Sequence, residues 1–128
     1  MRRLAPDTGA AAVEFALILL PLMLLLMGVI DFGGVYNKEL SMSAAAREGV
    51  RVMAISNNPI AARAAIRNST AFNPAITDAQ IIFSPVTCSA GGTVAVTITY
   101  PMASTTGMFT PIMSGKSIHG QATMRCNG

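Results

Sequence analysis

The chain has 128 residues, 52% of them apolar and only 12% charged, with a formal net charge of +3. That length points to one domain, and so small and scattered a positive charge gives no footprint for nucleic acid. The apolar excess is concentrated: from Val13 to Ile30 the only charged residue is Glu14, whereas an ordinary soluble domain is about a quarter charged throughout.

Met1–Thr8 is a short leader with Arg2 and Arg3, and Pro6 discourages helix before Gly9. Ala10–Ile30 is apolar apart from Glu14. As a helix it spans about 31 Å, the thickness of a hydrocarbon core. A chain this small could not bury such a helix on every side, so a membrane span is expected over a core helix. A cleaved secretory signal competes with it, since Arg2 and Arg3 fit an n-region and Phe15–Ile30 an h-region. The residues after the apolar run, Asp31-Phe32-Gly33-Gly34-Val35, fit a small-x-small cleavage site poorly, and Ala44-Ala45-Ala46 lies too far downstream. The two arginines of the leader place the N-terminus inside and residue 31 onward outside.

A carboxylate in an apolar span costs on the order of 2–3 kcal/mol at mid-membrane and less near the interface. Glu14 therefore either snorkels to the interface or finds a cationic partner. Gly9-Ala10-Ala11-Ala12-Val13-Glu14-Phe15, preceded by a basic leader and followed by an unbroken apolar run, resembles the start of type IV prepilins. The resemblance implies cleavage by a prepilin peptidase between Gly9 and Ala10, which makes Glu14 the fifth mature residue, with the aromatic Phe15 after it. The new α-ammonium of Ala10 would lie one helical turn from Glu14, within reach of pairing. The same carboxylate could instead meet the ammonium of a neighbouring subunit and help dock two helices in lipid.

Leu20-Pro21-Leu22, Gly28-Val29-Ile30-Asp31-Phe32-Gly33 and Ala45-Ala46-Arg47-Glu48-Gly49-Val50-Arg51 narrow the likeness. Over roughly residues 9–54 the chain resembles TadE-like proteins, pseudopilins or minor pilins of the tight-adherence (Flp-type) pilus. Asp31, where the family often has Glu, is a mild departure. The resemblance implies a single-pass protein of the cytoplasmic (inner) membrane, lodged in or at the base of a pilus. Its implied partners are the prepilin peptidase, other pilins or pseudopilins, the Tad-type inner-membrane assembly platform and the lipid bilayer.

One helix is expected from Ala10 to about Ser56. Pro21 removes a backbone hydrogen bond and is a candidate kink, and Gly33-Gly34 a candidate hinge. Beyond Val35 the helix becomes amphipathic, with Leu40, Ala44, Val50, Met53 and Ala54 as its expected apolar stripe. Arg47, Glu48 and Arg51 form either a solvated face, with Glu48 reaching Arg51 at i+3, or a subunit contact. Asn57-Asn58-Pro59 stops the helix, and Ile60–Ala71 suggests a second, short one. Asn68-Ser69-Thr70 matches a glycosylation sequon too short to argue from.

The remainder changes period. Strands are expected over Gln80–Phe83 (extending toward Cys88), Thr93–Tyr100 with Val94, Val96, Ile98 and Tyr100 inward, and Ser117–Cys126 with Ile118, Gly120, Ala122 and Met124 on one face. Met102–Lys116 is a connection whose Met108, Phe109, Ile112 and Met113 are expected to cover a core edge. Cys88 and Cys126 lack the neighbours of a metal site. Outside the cytoplasm they would form a disulfide, worth about 4 kcal/mol for a loop of roughly 40 residues; two buried thiols are the alternative.

The expected class is α+β: a three-stranded antiparallel sheet on the outer half of a long helix, pilin-like. Its parts are a leader (1–9), a membrane span (10–30), an extracytoplasmic continuation (31–56) and a small outer domain (57–128). His119, the single histidine, sits in an alternating strand, and no nucleophile–base arrangement or phosphate-cradling loop accompanies it. No catalysis, cofactor, metal or small-molecule substrate is expected. Two functions compete with a pilin role: a membrane-tethered adhesion or scaffold module that does not polymerise, and a secreted small disulfide domain with residues 1–30 as signal.

Overall fold

The structure, a computed structural model, describes residues 8–127; the leader arginines and Pro6 lie outside them. Helix α1 runs unbroken over Thr8–Ser56. It stays helical through Pro21, the candidate kink, and through Gly33 and Gly34, the candidate hinge. Helix α2 covers Pro59–Asn68. A 3-10 turn at Asp78–Gln80 leads into strand β1, Ile81–Ser84; strand β2 follows at Thr93–Pro101, then a one-turn helix α3 at Thr110–Met113 and strand β3 at Ser117–Arg125. The chain is thus α+β, with one antiparallel sheet of order β1-β2-β3 among the described residues.

The α1–α2 corner is built by two asparagines. Asn57 takes a left-handed conformation, φ 48°, which asparagine tolerates better than most residues. The Asn58 side chain caps α2, accepting from the N–H groups of Ile60 (3.0 Å) and Ala61 (3.1 Å), and Pro59 sits at the first turn, where it forfeits no helical bond. Helix α2 ends at Asn68, three residues earlier than the alanine pattern suggests. There the Ser69 and Thr70 hydroxyls donate to the carbonyls of Ile66 and Arg67 and close the last turn.

The core lies between the sheet and the outer half of α1. The alternation of β2 is realised: Val94, Val96 and Ile98 are fully buried and Tyr100 nearly so. Tyr100 stacks on Phe72 at 5.0 Å and its hydroxyl donates to the Pro74 carbonyl at 2.7 Å. On α1 the buried apolar side chains are Met42, Ala45, Ala46, Val50, Met53 and Ala54, whereas Leu40 and Ala44 face outward. On β3, Ile118 and Gly120 are buried and Met124 is exposed: opposite the wholly buried Val94, it sits on the edge strand, where cover runs out.

Two glycines set how closely the layers approach. A Cβ on Gly120 would stand 2.7 Å from the Met42 backbone carbonyl carbon and oxygen, so β3 lies directly against α1 there; a Cβ on Gly49 would collide with the Ile66 side chain. Cys88 and Cys126 form the disulfide, with Cα atoms 5.6 Å apart. Around it Asn57 bridges to Cys88 through its side chain, Nδ2 donating to Cys88 O (3.1 Å) and Oδ1 accepting from Cys88 N–H (2.6 Å). The Asn127 N–H donates to Ala54 O at 3.2 Å. The end of α1, the β1–β2 connection and the end of β3 are thereby tied together at one pole of the domain.

Candidate functional site

The inner half of α1 is largely uncovered by the rest of the described chain; only Met108 and Phe109 reach it, near Leu24–Gly28. Its most apolar window has a mean hydropathy of 2.6 and is 0% buried. Val13, Phe15, Leu17, Ile18 and Leu20 are each more than half exposed. A packed domain does not leave a contiguous surface of this kind to water; such a face marks a lipid or protein partner.

Gly9 and Ala10, the residues flanking the expected cut, are exposed in the first turn of α1, and Glu14 stands one turn further on, also exposed. Among the described residues Glu14 has no ion-pair partner. Glu14 and Phe15 project from the same uncovered stretch, a carboxylate beside an aromatic in an apolar surround.

In the outer charge cluster, two of the three residues pair. Glu48 and Arg51 are joined by two hydrogen bonds, Nη2 to Oε1 at 2.7 Å and Nε to Oε2 at 3.1 Å, with both side chains about half exposed. The bond from Arg51 holds the Glu48 carboxyl below the usual range. Arg47 projects to solvent. Arg67 pairs with Asp78, tying α2 to the turn before β1, and Arg63 lies over the Phe83 ring at 5.8 Å. His119 is exposed on β3, its Nδ1 3.2 Å from Thr99 Oγ1 on the neighbouring strand.

Sequence reasoning missed one constellation. Asp31, the first residue past the apolar run, is completely buried. Its carboxylate accepts four bonds from the β2–β3 connection: from Thr105 N–H (2.8 Å), Thr106 N–H (2.8 Å), Thr106 Oγ1 (2.9 Å) and Ser104 Oγ (2.5 Å). Burial raises the cost of its charge, but the four donors outweigh this and hold the carboxyl below its ordinary value. Gly34, one turn along, leaves room for Thr105, whose Oγ1 would be 3.3 Å from a Cβ there. The signal in the sequence was a lone acid at the end of an apolar run and a Ser-Thr-Thr triplet in a linker, more than 70 positions apart.

A family model for TadE-like proteins matches residues 9–51. The matched segment takes in the expected cleavage point, Glu14, the whole apolar run, Asp31 and the Glu48–Arg51 pair, and stops before the α1–α2 corner. No curated protein and no solved structure matches the chain.

Proposed function

We propose, from the premise that residues 9–51 are TadE-like, that the chain is a minor pilin or pseudopilin supporting assembly of a tight-adherence pilus. The TadE-like family is structural and associated with that pilus. In this reading residues 10–30 span the cytoplasmic membrane with the N-terminus inside, and residues 31–128 lie outside. A prepilin peptidase removes the leader between Gly9 and Ala10. Other pilins and the inner-membrane assembly platform then take up the mature helix.

The observation that carries the reading is the uncovered inner half of α1 with Glu14 and Phe15 upon it, within the TadE-like segment. An apolar helix left this open needs lipid before assembly and neighbouring helices after it. Glu14 supplies a reason to exchange one for the other: in lipid its charge is costly, and a neighbour's or its own ammonium relieves that cost. The continuity of α1 from the apolar run into the packed core favours this over a secretory signal removed near residue 30.

The deciding experiment is mass spectrometry of the mature N-terminus in cells with and without the prepilin peptidase. A chain starting at Ala10, and an uncut chain when the peptidase is deleted, support the reading. An N-terminus that is the same in both strains overturns it.

A further inference from the structure

The connection between β2 and β3 does not merely close the sheet. From Met102 to Gly115 it carries no charged residue, and it reaches down α1 into the apolar run. The Phe109 ring would lie 3.7 Å from a Cβ on Gly28 and packs on Phe32 at 6.0 Å between centroids. Met108 lines an open apolar groove on α1 together with Leu20, Met23, Leu24 and Met27. The level of Leu24 is about 9 Å down the helix from Ile30, at 1.5 Å per residue. At the tip of the connection Met108 is 54% exposed and Ile112 55%.

The backbone of this connection finds many of its hydrogen-bond partners within the chain. Thr105 and Thr106 donate their N–H groups to Asp31, Gly107 to Ser104 Oγ, and Met108 to Thr106 Oγ1. Thr110 donates to Gly107 O, Ile112 and Met113 to Phe109 O, and Ser114 to Thr110 O. Such bonds are common in turns facing water. A segment entering the edge of a bilayer requires them, because lipid offers its backbone no partners.

We propose that this connection is a second membrane contact: the apolar tip formed by Met108, Phe109 and Ile112 seats in the lipid at the outer edge of the bilayer, beside α1. The inference rests on residues 10–30 being the membrane span. If the span is in lipid to Ile30, a tip packed at the level of Leu24–Gly28 is carried into the same layer. Phe109 fills the side of α1 at Gly28, and Met108 and Ile112 are left to meet acyl chains. The segment leaves the lipid toward Lys116, the first charge after the tip and an exposed one, suited to headgroup phosphates. Asp31 holds the tip at this depth by fixing the residues just before it.

The chain has no tryptophan, so single tryptophans report depth directly. The full-length chain is reconstituted in vesicles of phosphatidylethanolamine and phosphatidylglycerol as Met108→Trp, with Ile112→Trp as a second tip variant. Leu17→Trp serves as a control in the span and Val86→Trp as a control on the outer domain. Emission is followed with lipids brominated at shallow or deep acyl positions. The expected result is blue-shifted emission at both tip positions, quenched several-fold more by shallow bromines than Val86→Trp is, with Leu17→Trp quenched by deep ones. Tip tryptophans that behave like Val86→Trp while Leu17→Trp is quenched overturn the proposal and leave the span standing. If Leu17→Trp is itself unquenched, the span fails and the proposal with it. Tip emission that is blue-shifted, untouched by brominated lipid and dependent on protein-to-lipid ratio assigns the tip to a second copy of the chain, and overturns the proposal too.

Discussion

Asp31 and Glu14 are two acids 17 positions apart on the same helix with opposite circumstances. Asp31 is buried and provided with four donors; Glu14 is exposed and has no ion-pair partner among the described residues. Different behaviour follows on substitution. Glu14→Ala is expected to weaken assembly or processing while membrane insertion, read by carbonate extraction, stays intact, since the substitution makes the span more apolar. Asp31→Asn replaces an acceptor oxygen by a donor that faces other donors. Hydrogen exchange at the Thr105 and Thr106 amides is expected to rise by roughly tenfold or more. The pH dependence has a definite sign. The native carboxyl titrates below its ordinary value of 3.8, so the contact is fully present above that value and is lost as pH falls through the lower native one. Protection of these two amides, taken against the intrinsic exchange rate at each pH, should therefore persist at mildly acidic pH in the unaltered chain and fall only in strong acid, whereas in Asp31→Asn it is low throughout.

At the scale of elements, packing distance carries the argument. Gly120 allows β3 to lie against the Met42 backbone, and backbone cannot move aside as a side chain can. Gly120→Ala should destabilise the outer domain by about 1–3 kcal/mol, measured by thermal or urea unfolding in detergent. Opening the Cys88–Cys126 bond is a larger change: Cys88→Ser with Cys126→Ser should cost about 2–5 kcal/mol and show in the same assay. The elements themselves were largely legible. The long apolar run, the alternation of β2 and the asparagine-proline stop each impose a local period or break that few other structures satisfy. The inward stripe of α1 was read less well. In an alanine-rich stretch, neighbouring faces differ little in hydropathy, so sequence does not say whether Ala44 or Ala45 turns inward; contact with the sheet decides it. The Asp31 contact and α3 were not legible at all. Both depend on where a linker meets a helix distant in sequence, and no periodicity records that meeting.

At the scale of the whole molecule, α1 belongs to two environments. Its outer half is core to a small domain; its inner half is covered among the described residues only by the β2–β3 tip near Leu24–Gly28. The three-stranded sheet needs the outer half of α1 to bury its face, so the domain is not separable from that half of the helix. A shortened chain beginning after Ile30 would retain the packed residues from Met42 to Ala54 but lose Gly28 and the apolar groove on which the β2–β3 tip rests. It should fold with the sheet intact and the tip loosened, which limited proteolysis near residues 108–112 would detect as faster cleavage than in the full-length chain in lipid.

The disulfide at the far pole also makes part of the molecule a closed covalent ring. The bond joins Cys88 to Cys126, and β2, the tip, α3 and β3 all lie between them. A single protease nick anywhere inside that ring opens it without releasing a piece. The severed ends remain joined through the two sulfurs, and the segment after the nick stays attached to the membrane helix. Only reduction sets it free. In the proposed topology the domain faces outward, where proteases are common and reductants scarce; there the tip can be cut once and every residue of the domain stay attached.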